Sequence, residues 1–338
     1  MATQQVPAPE AGPSAAGWRQ ALRQWWMALI LLGLVGVFTL VAPGFFSLEN
    51  LRSTTLFASD TLLLGIGETL VIITGGIDLS VGAILGLAGM TAGWAMQAVL
   101  TADARAGAAA LLLGFAVALA TGTAAGLVNG LVITRMGITP FIATLGMLGI
   151  ATGFTFLITN GTDITILPAA LNAVGNTALA GWLPVPFLVA LGVALAAHYV
   201  LTRTRFGLYT YAIGSNPEGA RVSGIDVPLH LLKVYTLSGL IAGLAGILVV
   251  ARLMAASPLE GANDELNAIA AVVIGGASLF GGRGRVLGTL IGGLVISVLV
   301  TGLVIAGVQP YWQTVAIGAT IILAVYIDQS QQRAGQDG

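Results

Sequence analysis

Residues 69–90 read TLVIITGGIDLSVGAILGLAGM, an apolar run that ends at paired glycines and is followed at once by a second apolar run. Similar apolar runs with short breaks fill most of the chain. Of its 338 residues, 57% are hydrophobic and only 8% are charged, and the mean hydropathy is +0.95. Soluble domains carry about 25% charged residues, so this composition cannot cover a water-facing surface. The sequence therefore predicts an all-α, polytopic membrane protein.

Ten apolar segments approach the roughly 20 residues that a membrane-spanning helix needs, and the eighth of them is short. They lie at 26–42, 54–74, 80–100, 107–133, 139–159, 186–201, 232–253, 267–280, 286–307 and 311–327. We expect a disordered cytoplasmic tail over 1–25, a membrane domain over 26–328 and a second cytoplasmic tail over 329–338. The run after Arg23 lacks a signal-peptide cleavage site, so we expect it to remain as a helix.

The distribution of basic residues predicts the orientation of these helices. If both termini are cytoplasmic, ten of the 13 Lys and Arg residues fall on inner segments and three on outer ones. Cytoplasmic loops of membrane proteins carry an excess of Lys and Arg. We therefore expect cytoplasmic N and C termini.

Two eight-residue segments, Gly75–Gly82 and Gly275–Gly282, share the frame GGxxLxxG. Paired glycines break helix regularity, and irregular backbone at membrane depth must be buried in protein or line a water-filled path. Corresponding glycine breaks in two halves are typical of transporters built from structural repeats. We expect such an internal repeat; chance agreement in a chain with 47 glycines is the alternative.

Three carboxylates, those of Asp60, Glu68 and Asp78, lie within or between the early apolar segments. Charged groups at membrane depth are costly and are by default functional. Asp60 and Glu68 are eight residues apart, near one helix face, where they either line a polar path or join helices. Asp78, which Ser80 follows, either lines that path or caps the third helix.

Residues 202–231 form a polar, basic island with the glycine-rich core YAIGSNPEGARVSGI at 211–225. Its length and polarity keep it out of the hydrocarbon, and its basic residues place it in the cytoplasm. Asn216 as N-cap, Pro217 as first helical residue and Gly224 as the stop predict a short, rigid helix in its middle. We interpret the island as the surface through which a separate ATPase moves the membrane domain.

The chain lacks the motifs of an enzyme. Its one lysine, Lys233, is not part of a P-loop, so any ATPase must be another polypeptide. With no cysteine and only two histidines, His198 and His230, we expect no metal site and no cofactor. The formal net charge of -1 gives no electrostatic basis for nucleic-acid binding.

The sequence resembles the membrane permease subunits of bacterial ABC importers for simple sugars. This is the family of the ribose, xylose, arabinose and galactose permeases, and it also includes autoinducer-2 permeases. The resemblance rests on residues 69–90, on NGLVITRMGITPFIATLGMLGIATG at 129–153 and on TRFGLYTYAIGSNPEGARVSGI at 204–225. It continues through SGLIAGLAGIL at 238–248 and IGGASLFGGRGRVLGTLIGG at 274–293, and it leaves out the N-terminal tail.

The resemblance implies a location in the bacterial inner membrane and several partners. Two permease subunits, expected here as a homodimer, would form the pore. Two copies of a cytoplasmic ATPase would power it, and an extracytoplasmic binding protein would deliver the sugar. Such importers carry a coupling helix with an EAA-type motif, here Glu218-Gly219-Ala220 with Gly224 following. Gly219 stands where the family often has Ala, which costs the helix about 1 kcal/mol.

The candidate site residues fall into three sets, one for each task of such a subunit. Because a sugar is neutral and polar, we expect polar groups along its path and outward-facing acids at the surface that meets the binding protein. The ATPase-coupling set is Arg205, Gly207, Asn216, Glu218, Gly219, Ala220, Arg221 and Gly224. The translocation-path set is Asp60, Glu68, Asp78, Ser80, Asn129, Thr144 and Asn160. The binding-protein docking set is Asp163, Glu260, Asp264 and Glu265.

Two other functions compete with an ATP-driven sugar importer. A proton-coupled secondary transporter would use Asp60, Glu68 and Asp78, although such a carrier does not need the large basic island. A passive channel or a branched-chain amino-acid permease of the same broad class is the third interpretation. A zwitterionic substrate would require paired charges in the path, and the basic residues lie almost wholly outside it.

Overall fold

The computed structural model describes residues 15–334 and shows a helical bundle. These residues form 13 helices and two strands. They are α1 Ala15–Val41, α2 Leu48–Ile73, α3 Val81–Ala102, α4 Gly107–Arg135, α5 Pro140–Thr159, α6 Ala170–Asn176, β1 Ala178–Leu179, β2 Leu183–Pro184, α7 Val185–Arg203, α8 Arg205–Ser215, α9 Pro217–Val222, α10 Val227–Leu253, α11 Asp264–Ile274, α12 Val286–Ile305 and α13 Pro310–Ala334. The predicted all-α class is confirmed, and the only strands within this range pair as one short antiparallel hairpin.

Seven helices of the described chain, α2, α3, α4, α5, α7, α10 and α12, are long and apolar enough to cross a membrane. The predicted polytopic architecture is therefore confirmed, while the number of ten spans stays a prediction. The segment predicted at 267–280 falls on α11, whose 11 residues rise about 16 Å, too little to cross a hydrocarbon core of about 30 Å. Helices α1 and α13 extend into both predicted tails, and residues 1–14 and 335–338 lie outside the described residues.

Helices α2 and α10 form the centre of the bundle, because 89% and 78% of their apolar windows are buried. Glycines let α10 lie directly against α4. A Cβ at Gly126 would meet the Gly239 Cα at 3.0 Å, and one at Gly122 would meet the Gly243 Cα at 2.7 Å. Only residues without side chains allow two helix backbones to come this close.

The helices run antiparallel, so the bundle has two ends. Helices α2, α4, α7 and α11 end where α3, α5, α10 and α12 begin, as the contacts of Gly130 with Leu232 and of Ile73 with Gly282 show. We name this the basic end, since it carries the arginines of the 202–231 island together with Arg283 and Arg285. The other is the far end.

The two GGxxLxxG segments end their helices in the same way. Gly75 and Gly276 both have a positive φ, 84° and 81°. The next amide in each case reaches back five residues, from Gly76 to the Val71 carbonyl at 3.2 Å and from Ala277 to the Val272 carbonyl at 3.1 Å. This is the Schellman ending, in which a left-handed residue closes the helix. The equivalent glycines, Gly75 and Gly276, are offset by one from the literal alignment of the two pairs. Because α9 and α12 end in the same way, at Gly224 and Gly307, the predicted repeat stays a prediction.

The chain re-enters the bundle between α10 and α11. Ala256 and Ile164 exchange two backbone hydrogen bonds of 2.9 Å near the far end. Residues 257–263 then descend as irregular backbone, and Gly261 packs against the backbone of Gly82 near the start of α3. Since α11 rises only about 16 Å to the basic end, it begins roughly halfway through the bundle. A half-helix that follows irregular backbone at depth is a feature of transporter sites.

Candidate functional site

The 202–231 island folds as two helices, α8 and α9, which meet at Asn216. The Asn216 side chain accepts the Gly219 N–H at 2.9 Å, Pro217 opens α9, and Gly224 follows the helix with a φ of 85°. The predicted short capped helix is therefore confirmed. Its N-cap and its proline act together, because one supplies an acceptor for a free amide and the other has no amide to satisfy.

The α9 residues of the coupling set divide between an exposed and a buried face. Glu218 and Arg221 are exposed and paired with each other at 2.5 Å, and Val222 beside them is 84% exposed. Ala220 is buried against Ile213 and Val227, so it holds α9 in place and offers no contact surface. The exposed face thus carries a large apolar side chain, Val222, that sequence reasoning missed.

Helix α8 anchors the island to the end of α2 and to the second glycine break. The Tyr211 hydroxyl donates to the Gly284 carbonyl at 2.8 Å, and Gly214 lies so close to the Ile73 carbonyl and to Gly282 that a Cβ there would clash. Burial raises the pKa of Tyr211, against an opposing effect of Arg285, so this hydroxyl stays a donor at neutral pH. The island therefore contacts the end of α2, at Ile73, and the second GGxxLxxG segment, at Gly282.

Two further coupling residues lie beside this anchor. Arg205 is exposed at the start of α8. Gly207 is buried, and a Cβ there would meet the Leu201 Cα at 2.5 Å, so a glycine is needed for α8 to turn back on α7. The Thr210 hydroxyl lies 2.9 Å from His230 Nε2, which ties α8 to α10.

A buried polar network connects four residues of the path set. Glu68 Oε1 accepts the Asp78 N–H at 3.1 Å, and Asp78 Oδ1 accepts both the N–H and the hydroxyl of Ser80 at 2.9 and 2.6 Å. Asn129 Nδ2 donates to the Ser80 hydroxyl at 2.8 Å. Each of these side chains is at most 1% exposed. The network joins α2, α3 and α4 at the first glycine break.

Asp78 and Ser80 share the task of starting α3. The N-cap residue of α3 is Ser80, which makes no side-chain cap bond, and the Asp78 carboxylate accepts the Ser80 amide just ahead of the helix. Around it, Glu68 Oε2, Asp78 Oδ2, Tyr235 OH and Ser238 Oγ have no hydrogen-bond partner within the described part of the protein.

The other path residues lie apart from this network, with one exception. Thr144 on α5 is the exception, because its hydroxyl lies 3.2 Å from both the Leu79 N–H and the Ile77 carbonyl. Asp60 forms an ion pair with Arg252 at 2.7 Å, which joins α2 to α10. Asn160 is exposed at the far end of α5 in a left-handed conformation with a φ of 53°.

The four docking residues do not lie on one surface. Asp163 is exposed at the far end, whereas Glu260 and Asp264 are partly buried and Glu265 is only 9% exposed. The reason is the re-entrant segment, which carries these three acids from the far end into the bundle. Glu265 therefore lies in the interior, and not at a surface that a binding protein could reach.

Two cavities lie along the groove between α3 and α5. The one nearer the far end measures about 420 Å³ and is lined by polar and aromatic side chains, among them Trp94, Gln97, Asn160 and Asp163. The deeper one measures about 190 Å³ and lies against the re-entrant segment. The sequence analysis did not single out Thr152 and Thr155, which line the deeper cavity. Two polar residues three apart on an otherwise apolar helix could have indicated a polar face there.

Comparison with known proteins gives a consistent result. A family model described as the permease component of the branched-chain amino acid transport system matches residues 50–325. The chain is 39% identical to the ribose import permease protein RbsC of Escherichia coli (strain K12), over 94% of this chain and 99% of that protein. No solved structure matches the chain.

Two further relatives carry the names of other sugars. The D-allose transport system permease protein AlsC of Escherichia coli (strain K12) is 40% identical over 89% of this chain and 90% of that protein. The fructose import permease protein FrcC of Rhizobium meliloti is 37% identical over 90% of this chain and 84% of that protein. These relatives are transport components and not enzymes. The chain therefore belongs to the family of membrane permease subunits of bacterial ABC importers for simple sugars.

Proposed function

We propose that this chain forms the translocation path of an ATP-driven importer for a monosaccharide, a pentose or a hexose, and that α8 and α9 couple it to a separate ATPase. The observation that carries this proposal is the attachment of the island to the end of α2, through Gly214 with Ile73, and to the second glycine break, through Gly214 with Gly282. A displacement of α9 that moves α8 with it reaches the end of α2 and the segment that precedes α12 through these contacts. The importer would contain two copies of this chain, two ATPase subunits and an extracytoplasmic sugar-binding protein.

The coupling mechanism follows from linkage between two conformations. ATP shifts the permease toward one conformation only if the ATPase contacts that conformation better than the other. The exposed face of α9 offers such contacts through Glu218, Arg221 and Val222. The buried Ala220 keeps this face fixed relative to α8. We propose an orientation in which the basic end and both termini are cytoplasmic. The excess of arginine at the basic end favours this orientation.

The relatives' names favour a sugar over an amino acid. They name ribose, D-allose, fructose and galactose, all of which are neutral and polar. A branched-chain amino acid carries a carboxylate, which a free cation or the N-terminus of a half-helix can hold. The bundle's Arg252 is engaged by Asp60 at 2.7 Å, so it is a poor candidate for that role. These names support our proposal of a monosaccharide substrate.

Substitution of Val222 by Glu tests the coupling role directly. A carboxylate at an 84% exposed position leaves the fold intact but cannot enter an apolar part of the ATPase cleft. We expect the Val222→Glu importer to lose at least about tenfold in uptake of radiolabelled monosaccharide, as the loss of one buried apolar contact allows. The membrane level of the protein should stay unchanged.

Met136→Glu is the matched control for this experiment. Met136 is 68% exposed at the same end of the bundle but lies between α4 and α5, outside the island. Its variant should transport normally. Equal uptake by the Val222→Glu, Met136→Glu and unsubstituted importers would refute coupling through α9.

The proton-coupled carrier remains the second candidate, on the strength of the buried Glu68 and Asp78 carboxylates. The third carboxylate that such a carrier would use, that of Asp60, already forms an ion pair with Arg252. Uptake in cells separates the two. The importer should stop when ATP is exhausted and continue when an uncoupler dissipates the proton gradient, whereas the carrier should do the reverse.

A further inference from the structure

We propose that Glu68, Asp78, Tyr235 and Ser238 form a binding site for one monovalent cation of the size of Na⁺, at the first glycine break between α2 and α10. The site uses the buried oxygen atoms that the polar network leaves without a partner among the described residues. It lies within a single chain, so it does not depend on the proposed function.

Two carboxylates are buried together at this break without a basic partner. Glu68 and Asp78 are both 0% exposed, and Glu68 Oε1 accepts the Asp78 N–H at 3.1 Å. No Lys, Arg or His of the described residues is among the groups that act on either carboxylate, and the two ion pairs of those residues lie elsewhere. Burial of a charge is costly unless the charge is paired, so the break calls for a positive charge.

Four oxygen atoms at the break lack a hydrogen-bond partner within the described part of the chain. They are Glu68 Oε2, Asp78 Oδ2, Tyr235 OH and Ser238 Oγ, and each belongs to a side chain that is at most 1% exposed. Buried polar atoms nearly always have a partner, which can be an ordered water or an ion. The concentration of four such atoms at one place therefore points to a bound ligand.

Three segments bring these oxygens together. Tyr235 and Ser238 are three residues apart on α10 and therefore share one face of that helix. This face meets α2 and the break, because a Cβ at Gly67 would lie 3.1 Å from Ser238 Oγ and one at Gly76 would clash with Tyr235 OH. Both carboxylates lie close enough to the Tyr235 hydroxyl to act on it electrostatically, and Ser238 faces Asp78 without a hydrogen bond of normal geometry.

The donor set fits a small, hard, monovalent cation. Hard cations take oxygen ligands, which are here two carboxylates and two hydroxyls with free lone pairs. Among the described residues no three or more His, Cys, Asp or Glu form a group that could hold a metal ion, which argues against a divalent site built from carboxylates. The cation offsets one negative charge, and the other lies at the N-terminus of α3, where Asp78 Oδ1 accepts the Ser80 N–H at 2.9 Å.

A water molecule or a shared proton accounts for less of this set than a cation does. A water could bond to the hydroxyls, but it would leave two buried negative charges. A proton between Glu68 and Asp78 would remove one charge, but it would leave Tyr235 and Ser238 as they are. A cation can contact all four oxygens, and it would join α2, the first break and α10. Transporters use the ends of broken helices for cations in the same way.

Thermal unfolding of the purified protein in detergent tests the site. At constant pH and ionic strength, replacement of N-methylglucamine chloride by sodium chloride should raise the unfolding midpoint by about 2 °C or more, because a ligand that binds only the folded state stabilises it. Binding of radioactive Na⁺ at equilibrium should saturate near one ion per chain.

Glu68→Gln should abolish both effects. Gln keeps a carbonyl oxygen that can accept the Asp78 N–H, but it removes one of the two charges. Asp60→Asn is the matched control, since Asp60 is a buried carboxylate of the same helix that is already paired with Arg252. The midpoint of the Asp60→Asn protein should still rise with sodium.

Ser238→Ala provides a second test that keeps both carboxylates, should Glu68→Gln fail to fold. We expect its affinity for Na⁺ to fall by about tenfold, as when one hydroxyl contact to a charged group is lost. Ser297→Ala is the control for this variant. Ser297 is 0% exposed on α12, its hydroxyl bonds to the Gly293 carbonyl at 2.7 Å, and its variant should bind Na⁺ normally.

Any of three results would overturn the site. The first is an unsubstituted protein whose midpoint does not respond to sodium. The second is a midpoint that follows pH alone, which would indicate a proton held by the two carboxylates. The third is unchanged Na⁺ binding in either Glu68→Gln or Ser238→Ala. These measurements need neither the ATPase nor a sugar, so failure of the proposed function would leave them unaffected.

Discussion

At the scale of single residues, the buried network at the first glycine break shows how polar groups are tolerated at membrane depth. Glu68, Asp78, Ser80 and Asn129 bond to one another and to the Asp78 and Ser80 amides just ahead of α3, while Glu68 Oε2 and Asp78 Oδ2 have no partner among the described residues. A buried donor or acceptor without its partner costs about 1–3 kcal/mol, so each member depends on the others. The network fixes where α3 begins relative to α2.

Ser80→Ala should destabilise the protein through this network. It removes the hydroxyl that donates to Asp78 and accepts from Asn129, and it leaves the Asn129 amide without that partner. We expect a loss of roughly 1–3 kcal/mol, measured as a lower midpoint of thermal unfolding of the purified protein in detergent.

Ser53→Ala is the control for this prediction. Ser53 is exposed, and its hydroxyl bonds only to the Glu49 carbonyl of its own helix, so its loss should change stability by less than about 0.5 kcal/mol. Equal midpoints for both variants would show that the network contributes nothing to stability.

At the scale of elements, the sequence predicts helix caps well, but it predicts poorly how deep in the membrane a helix begins. The N-cap, proline and glycine of α9 follow from residue types alone, and the structure confirms them. The short α11 could not be separated from a membrane span, since hydropathy at 267–280 is the same for a half-helix and a whole one. The interior position of Glu265 depends on Gly82, which lies far away in sequence.

The close crossing of α4 and α10 depends on the glycine at position 126. Gly126→Ala places a methyl group against the Tyr235 carbonyl and the Gly239 Cα, both of which are backbone and cannot move aside alone. We expect the two helices to separate and the unfolding midpoint in detergent to fall, with a cost of about 1–3 kcal/mol for overpacking.

Gly192→Ala on α7 is the matched control, because nothing lies within 4 Å of the added Cβ. Alanine favours the helix by up to about 1 kcal/mol over glycine, so this variant should be unchanged or more stable. A Gly126→Ala protein as stable as the Gly192→Ala protein would show that the crossing tolerates a wider spacing.

At the scale of the whole molecule, the bundle has a basic end that carries the 202–231 island and a far end at which the groove between α3 and α5 begins. The island at the basic end touches the end of α2 and the second glycine break, which packs on Gly75 of the first break. The first break holds α5 through Thr144. The groove between α3 and α5 leads toward that contact from the far end. In the proposed importer, the ATPase acts at the basic end and the sugar enters at the far end.

The measurement that tests this account most directly is solute accumulation in sealed vesicles that contain purified protein. With its ATPase and sugar-binding protein, the permease should concentrate a radiolabelled monosaccharide only when ATP is present on the ATPase side. Without the ATPase it should concentrate nothing, with or without a proton gradient. Accumulation by the isolated permease under a proton gradient would contradict the account.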